Sequence, residues 1–505
     1  MKKILIVLSV FSLLFASCNL DEKPKTSIDK EASLTSVEDA EFWANYCYIY
    51  MRAYTAGSYI YTPEIAADFF NPMLDYGNRN GAPYRWDWNS GDPFVDIWGG
   101  AYSGINHACY MIENIGFLDQ TNYTAEEKQR LNKCLGVAYF TKAYFGLKLL
   151  NYYCLPYNAS NKNSYGIMLV DLNRPIGDIT SYPGRSSLEE SYQWVIANAK
   201  KAEGYLAPYA GSVGANELTI DAVHAFQARL ALEMQDWNTA IALSTALVDG
   251  GKYPLCSTQA EMIDMWTNDS GKECIMQLWA SKDSTSIPSS NDPGYVGYTP
   301  SNGQFRPDWI LNKWAAAGMW DPSDLRFTTW FLTGMKVTCS IGSASGMTLF
   351  YKFPGNPQLA ESETAYINKI KPFRIAEQYL IAAEAFANTN GDALACSYLD
   401  KLISKRIASH TPLTLTGEAL MEYIKEERAR EFIGEGFRWN DLKRWGKGMA
   451  ARPNPQLKAL IHTSGSNGPA LNLAISASDH RWAGPIPIDE LAANPQIRDQ
   501  QNPGY

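Results

Sequence analysis

Glu427 and Glu431 stand four residues apart in a run, 424–445, that is unusually dense in charge. On a helix that spacing places both carboxyls on one face. Two facing carboxyls are the equipment of glycoside hydrolysis, in which one, kept protonated by a raised pKa, serves as the acid. Here Arg428, Arg430, Arg438 and Arg444 crowd the same acids, and nearby cations lower a carboxylate pKa. The pattern therefore favours a structural network over a catalytic pair. Glu427, Arg428, Glu431, Arg438, Asp441 and Arg444 would clamp one helix pair to its neighbours, and no catalytic residue is assigned.

Aromatic rings are the second chemical resource. They make up 13% of the chain, with 15 Trp and 30 Tyr. A planar ring gives the C–H face of a sugar an apolar platform, and polar side chains beside it satisfy the hydroxyls. Residues 84–89 supply both in one loop: Tyr84, Trp86 and Trp88 with Asn89. Trp86 and Trp88 alternate, so an extended segment points them the same way. Asp75, Arg79 and Asn80 are candidate polar partners. Tyr295 and Tyr298, on a Gly/Pro-rich loop, and Trp320, just past a helix end, complete the candidate ligand-binding set. Trp237, Trp309 and Trp314 fall on expected helices and read as core.

Other chemistry is scarce. The chain has no Gly-x-Ser-x-Gly, no phosphate-cradling Gly-Lys-Ser/Thr loop, no Gly-x-Gly-x-x-Gly and no His-Glu-x-x-His, and only five His. No metal site and no cofactor are expected. Of nine Cys, none forms a Cys-x-x-Cys, which argues against zinc or thioredoxin chemistry. Cys47, Cys109, Cys134 and Cys396 lie in apolar helical runs, where a free thiol behaves as a small hydrophobe. Disulfide pairing is left open.

The elements that must position these groups are mostly helical. Residues 37–54 pair with 95–115, and 125–153 with 188–206. Residues 221–250 form a helix–turn–helix unit whose plan returns at 374–407. Leu131, Leu135, Phe140, Tyr144 and Leu147 make 125–153 apolar on most faces, so it should lie between neighbours. Leu420, Ile424 and Phe432 give a further helix that Gly434 and Gly436 stop, with a short one at 440–447. Helix pairs of this length resemble tetratricopeptide repeats. Two stretches break the pattern: 68–93 and 282–372, rich in Gly, Pro, Ser or Asn and in aromatics. In the second, 307–317 reads as a helix, and 327–333, 335–341 and 348–353 as short strands. No Pro/Ser linker divides the chain, so 36–505 reads as one domain carrying its ligand-facing loops in those two stretches.

The N-terminus reads as a secretory signal over 1–17: Lys2 and Lys3, then an apolar run too short to span a bilayer. Ala16, Ser17 and Cys18 look like a lipobox, which makes Cys18 the lipidation site, for diacylglycerol and a further chain such as palmitate. Residues 18–35 are polar and read as a tether. With 46% hydrophobic residues over 505 the chain can bury a large core. Net charge is −9; losing Lys2 and Lys3 with the signal takes it to −11. A nucleic-acid partner is excluded on that ground.

The run Glu427-Arg428, Glu431, then 435–445 as Glu-Gly-Phe-Arg-Trp-Asn-Asp-Leu-Lys-Arg-Trp resembles the C-terminal signature of the SusD-like (RagB/SusD) outer-membrane lipoproteins. Residues 485–505, from Pro-Ile-Pro-Ile-Asp to Asn-Pro-Gly-Tyr, resemble that family's closing motif. The resemblance implies a mainly α fold, four tetratricopeptide-like helix pairs packed against a loop-rich half with a few short strands. It implies a non-catalytic lipoprotein in the outer membrane, facing the cell exterior, as Asp21 and Glu22 after Cys18 suit. Such a protein binds an oligo- or polysaccharide and delivers it to a SusC-like TonB-dependent barrel. The alternatives are a surface glycan hydrolase and a helical-repeat scaffold that binds peptide or protein.

Overall fold

The computed structural model describes residues 33–73, 81–173, 179–281, 298–299, 304–340, 342–359, 367–452, 454–461 and 473–505. The expected signal, Cys18 and most of the tether lie outside the described residues, as do Asp75, Arg79, Asn80 and Tyr295. Tyr298 is described through its backbone, in the short strand Tyr298–Thr299. Within the expected tether, Leu34 is already buried and the Ser33 carbonyl accepts the Trp43 indole N–H. The folded body thus begins before residue 36.

Four helix pairs run through the chain: α1 (Val37–Ala53) with α2 (Trp98–Phe117), α3 (Ala125–Tyr153) with α4 (Leu188–Leu206), α5 (Ile220–Glu233) with α6 (Trp237–Asp249), and α7 (Ile375–Ala387) with α8 (Asp392–Ile403). Successive pairs stack: α3 lies against α1 and α2, α4 against α5, and α6 against α7. The pairing expected from periodicity is the pairing observed. Local chemistry starts these helices. The Thr124 hydroxyl accepts the Glu127 amide while Glu127 accepts that of Thr124, and Ser187 and Glu190 do the same at α4, closing a capping box that satisfies two otherwise orphaned donors. The turns inside the two most alike pairs share a backbone feature. Gln235 and Asn390 both take left-handed φ, +59° and +58°, so the repeat of plan extends to the connection. After them come α9 (Gly417–Phe432) and α10 (Arg438–Arg444), and near the C-terminus the short helix Ile488–Ala493. α9 packs on α7 and α8.

The second half is built around strands. Phe70–Pro72 pairs antiparallel with Trp309–Leu311, joining the two stretches that lack helical pattern. Phe331–Cys339 and Gly342–Phe350 form an antiparallel hairpin in a four-stranded sheet with Tyr298–Thr299 and Gln304–Phe305. Cys274–Leu278 pairs with Ile370–Arg374, and the latter leads directly into α7. Beneath these strands Trp266, Trp309, Trp330 and Phe350 fill a second core.

Two expectations are corrected here. Residues 307–317 are not a helix: Trp309, Ile310 and Leu311 form a strand buried on both faces, followed by the π-helical turn Trp314–Gly318. Asn312 sets the change, since its amide holds the Asp68 carbonyl at 2.6 Å and its Oδ1 accepts the Ala315 amide. Residues 325–330 are helical where a strand was expected to begin, because the Asp324 carboxylate caps the turn by accepting the Arg326 amide. The eight described Cys are all buried and unbonded.

Candidate functional site

α9 directs Glu427 and Glu431 into the interior, where the sequence placed them among cations. Arg326 Nη1 donates to Glu427 Oε1 at 2.6 Å and to Glu431 Oε2 at 3.0 Å. Arg374 Nη1 and Arg406 Nη2 reach the other Glu431 oxygen at 2.8 and 3.1 Å, and Arg430 Nε closes on Glu427 at 2.8 Å. Asp324, Glu273 and Glu435 balance the remaining charge: Asp324 on Arg326, Glu273 between Arg374 and Arg406, Glu435 between Arg374 and Lys352. Five cations thus face five carboxylates. Burial pushes the Glu431 pKa up, yet Arg406, Arg374 and Arg326 prevail and hold it well below the usual carboxylate range. Glu427 is lowered against the same burial by Arg326 and Arg430, and Asp441 by Arg428 and Arg444. Carboxyls held ionised in a dry core supply no proton to a leaving group. They lock elements together instead. Arg444 grips both oxygens of Glu384 on α7 at 2.5 and 2.7 Å, Arg428 and Arg444 share Asp441, and Arg438 binds Asp68 through two contacts of 2.8 Å.

The predicted aromatic platform is found on the inside. Residues 84–89 alternate as expected, but Tyr84, Trp86 and Trp88 are the buried set, with exposures of 0, 1 and 5%, while Asp87 and Asn89 are exposed. Trp86 takes φ +56° after the short helix Gly81–Arg85. Its ring lies 4.9 Å from Trp88 and 4.6 Å from Trp482, and its N–H is used by the Ala66 carbonyl at 2.8 Å. Tyr84 donates to Asn71 Oδ1 at 3.0 Å with the Arg452 guanidinium 3.8 Å over its ring. Trp320 donates to the Ala315 carbonyl at 2.9 Å and packs against Phe331. Tyr84, Trp86 and Trp320 pack against neighbours in the core and line no part of the cleft that Trp88 reaches. The alternation was legible; which side faced inward was not.

The loop nevertheless forms a cleft. Residues 81–94 border a cleft of about 430 Å³, lined by Thr62, Arg85, Asp87, Asn89 and Asp92 and by Trp88 and Phe94. Those two rings pack 4.5 Å apart, tilted by 31°. Arg85 and Asp87 pair loosely at 3.6 Å, and Asp87 is 70% exposed. Asn89 Oδ1 accepts the amides of Gly91 and Asp92, a turn that holds the rim. Of this polar set the sequence reading singled out Asn89 alone; Arg85, Asp87 and Asp92 were signalled by their places between and after the alternating rings. Residues far along the chain fix the cleft. Trp88 Nε1 donates to the Tyr505 hydroxyl at 2.7 Å, Arg481 Nη1 to the Trp86 carbonyl at 3.0 Å, and Gln501 Nε2 to Ser90 Oγ at 2.9 Å. Among the described residues no three His, Cys, Asp or Glu side chains converge as a metal-binding group.

Comparison with known proteins places this geometry. The SusD family model matches residues 336–505, and a model described as starch-binding, associating with the outer membrane, matches 20–232. SusD-like protein P25 of Formosa agariphila is 33% identical over 138 residues, 26% of this chain and only 24% of that protein's length. A SusD superfamily structure from Bacteroides thetaiotaomicron superposes with a TM-score of 0.77 at 23% identity, over 93% of this chain and 100% of that one. A SusD-like carbohydrate binding protein from Bacteroides vulgatus gives 0.74 at 19% identity, over 92 and 97%.

Proposed function

We propose that this chain, which belongs to the SusD-like family, is a non-catalytic lipoprotein of the outer membrane that captures a glycan outside the cell. It passes that glycan to a TonB-dependent barrel. The observation that carries the ligand reading is the cleft at 81–94, which brings the polar side chains of Arg85, Asp87, Asn89 and Asp92 together with the rings of Trp88 and Phe94. Side chains that exchange hydrogen bonds with hydroxyls, beside aromatic rings, suit a saccharide better than a charged or wholly apolar ligand. The carbohydrate binding named for the Bacteroides vulgatus relative, and the starch binding named for the family that matches 20–232, point the same way.

The helical half supports a protein partner. Phe42, Tyr46 and Ile49, at spacings of four and three along α1, are 73, 50 and 43% exposed, so they share one outward face. A row of large apolar groups facing water marks an interaction surface, and the barrel is the occupant this reading assigns to it. Cys18 supplies the anchor and leaves 19–32 as the tether.

The hydrolase reading finds less support. The carboxylates on α9 are ion-paired and lowered, and Glu64, pushed up to about 7 by burial, is fully enclosed beneath Gly434 and Gly436. Native affinity electrophoresis of the protein from Asn19 onward through a panel of polysaccharides, with product analysis on the same samples, tests the proposal. Retardation without cleavage is the expected result. Release of reducing sugar would replace it with an enzyme, and a peptide ligand competing for the same face would favour the scaffold.

A further inference from the structure

The cleft at 81–94 carries unequal charge. Asp87, Asn89 and Asp92 are its exposed polar residues, and Arg85 is the only cation lining it among the described residues. Asn89 and Asp92 exchange backbone hydrogen bonds of 3.0 and 3.1 Å, so the chain turns back through Ser90 and Gly91 and sets Asp92 across from Asn89. Asp87 lies two residues before Asn89, and alternation puts those two side chains on one face. Two carboxylates and one amide thus gather on the open side of a tight turn.

Their charge is poorly balanced. Arg85 comes no nearer to Asp87 than 3.6 Å, and the exposed Asp92 carboxylate makes no hydrogen bond or ion pair among the described residues. The surroundings add the same sign. The Ile488 amide donates to the Ser90 carbonyl at 2.9 Å, which brings the first turn of Ile488–Ala493, with Asp489 and Glu490, beside the loop. Arg481, also tied to this loop through the Trp86 carbonyl, is neutralised by Asp479 at 2.8 Å.

A carboxylate offers acceptors and no donor. A neutral sugar meets it with hydroxyl donors, and such charge-assisted bonds are the stronger kind. A uronate or a sulfate ester brings further acceptors and the same sign of charge, and like charges set against each other cost affinity.

We infer, resting on the glycan-capture reading above, that the cleft selects glycans free of uronic acid and sulfate groups, with Asp87 and Asp92 as the selecting residues. Both carboxylates take hydroxyl protons from the bound sugar, and both repel an acidic one.

The test is affinity electrophoresis of the protein from Asn19 onward in gels of amylopectin, galactomannan and xyloglucan, and in gels of homogalacturonan, alginate and carrageenan. Retention by at least one neutral polymer is expected, with every acidic polymer weaker by about tenfold or more. Asp87→Asn with Asp92→Asn keeps the size of both side chains and removes both charges. It should weaken binding of the retained neutral polymer about tenfold and narrow its advantage over the acidic ones. Glu126→Gln with Glu418→Gln removes two exposed charges from the first turns of α3 and α9 and should leave both quantities as in the parent. An equal narrowing in that control would show that net charge alone rejects acidic polymers, and the assignment to Asp87 and Asp92 would fall. An acidic polymer bound as tightly as any neutral one, or an unchanged preference in the Asp87 and Asp92 double variant, would also overturn it. Retention in none of the gels would instead remove the capture reading itself.

Discussion

The carboxylate of Glu64 accepts the amide N–H of Gly434 at 3.1 Å, tying a helix of the N-terminal region to the turn that ends α9, and takes the Gly436 amide at 2.8 Å as well. Its pKa is nonetheless raised to about 7, because burial outweighs both amides and the neighbouring cations. Glu233 is raised to about 7 for the same reason. In the unfolded chain both titrate near about 4.3. Between that value and about 7 the native state keeps protons that the unfolded state has released, so stability falls as pH rises through this window. Glu427, Glu431 and Asp441 act oppositely: their contribution is present above their unfolded pKa values and is lost as pH falls below them. The melting temperature should therefore peak in mild acid. Calorimetry should show the decline from about pH 5 to pH 7 shallower in Glu64→Gln.

Gly434 is a second test of that turn. It has φ +77°, and an added Cβ would lie 2.1 Å from Phe350 Cζ. Gly446 has φ +64° with nothing within 4 Å. Gly446→Ala should cost about 1 kcal/mol, the left-handed penalty alone. Gly434→Ala should cost several times more by urea denaturation, since core overpacking adds to that strain.

Glu431 is the hub of the buried network. Glu431→Gln leaves Arg326, Arg374 and Arg406 short of an anion in the core and should destabilise by about 3–5 kcal/mol. Breaking the exposed Lys401–Asp249 pair should leave the urea midpoint within error.

Tryptophan variants separate packing from recognition. Trp86→Ala should lose about 3–5 kcal/mol and lower glycan retardation only as far as it lowers the folded fraction. Asp87→Ala should leave the melting temperature within about 2 °C, as surface changes do, while weakening retardation in the polysaccharide gel.

For the row on α1, Phe42→Ser with Tyr46→Ser should leave the isolated protein's melting temperature nearly unchanged. Co-purification with a TonB-dependent barrel from detergent-solubilised outer membranes should be lost. Retention of the barrel by the double variant would move the docking surface elsewhere.

The helical half was legible because each pair announces itself locally, by apolar period and, in 221–250, by a turn at Gln235 and Asp236. The network on α9 was legible in kind, since acids and arginines at helical spacing must neutralise one another. Its partners were not, because Arg326, Arg374, Arg406 and Glu273 come from elsewhere in the chain and no local pattern links them. The strand at Trp309 failed as a helix because pairing with Phe70–Pro72, more than two hundred residues away, overrides a short apolar run. The inward face of Trp86 and Trp88 was hidden for a related reason. Alternation assigns two faces, and only Trp482, Trp439 and Tyr505, packed on one of them, decide which is inner.

The bonds that hold residues 64–90 come largely from 434–505: Glu64 to Gly434, Asp68 to Arg438, Trp86 to Arg481 and Trp88 to Tyr505, at separations of 370 to 417 residues. A ribosome or a secretion channel delivers this chain from its N-terminus, so the helix pairs can assemble while the 81–94 loop still lacks its fastenings. Contacts of such long separation close slowly. The cleft is then the last part of the molecule to take shape, and a chain cut short between residues 446 and 481 could keep its helix pairs while losing the very pocket they carry.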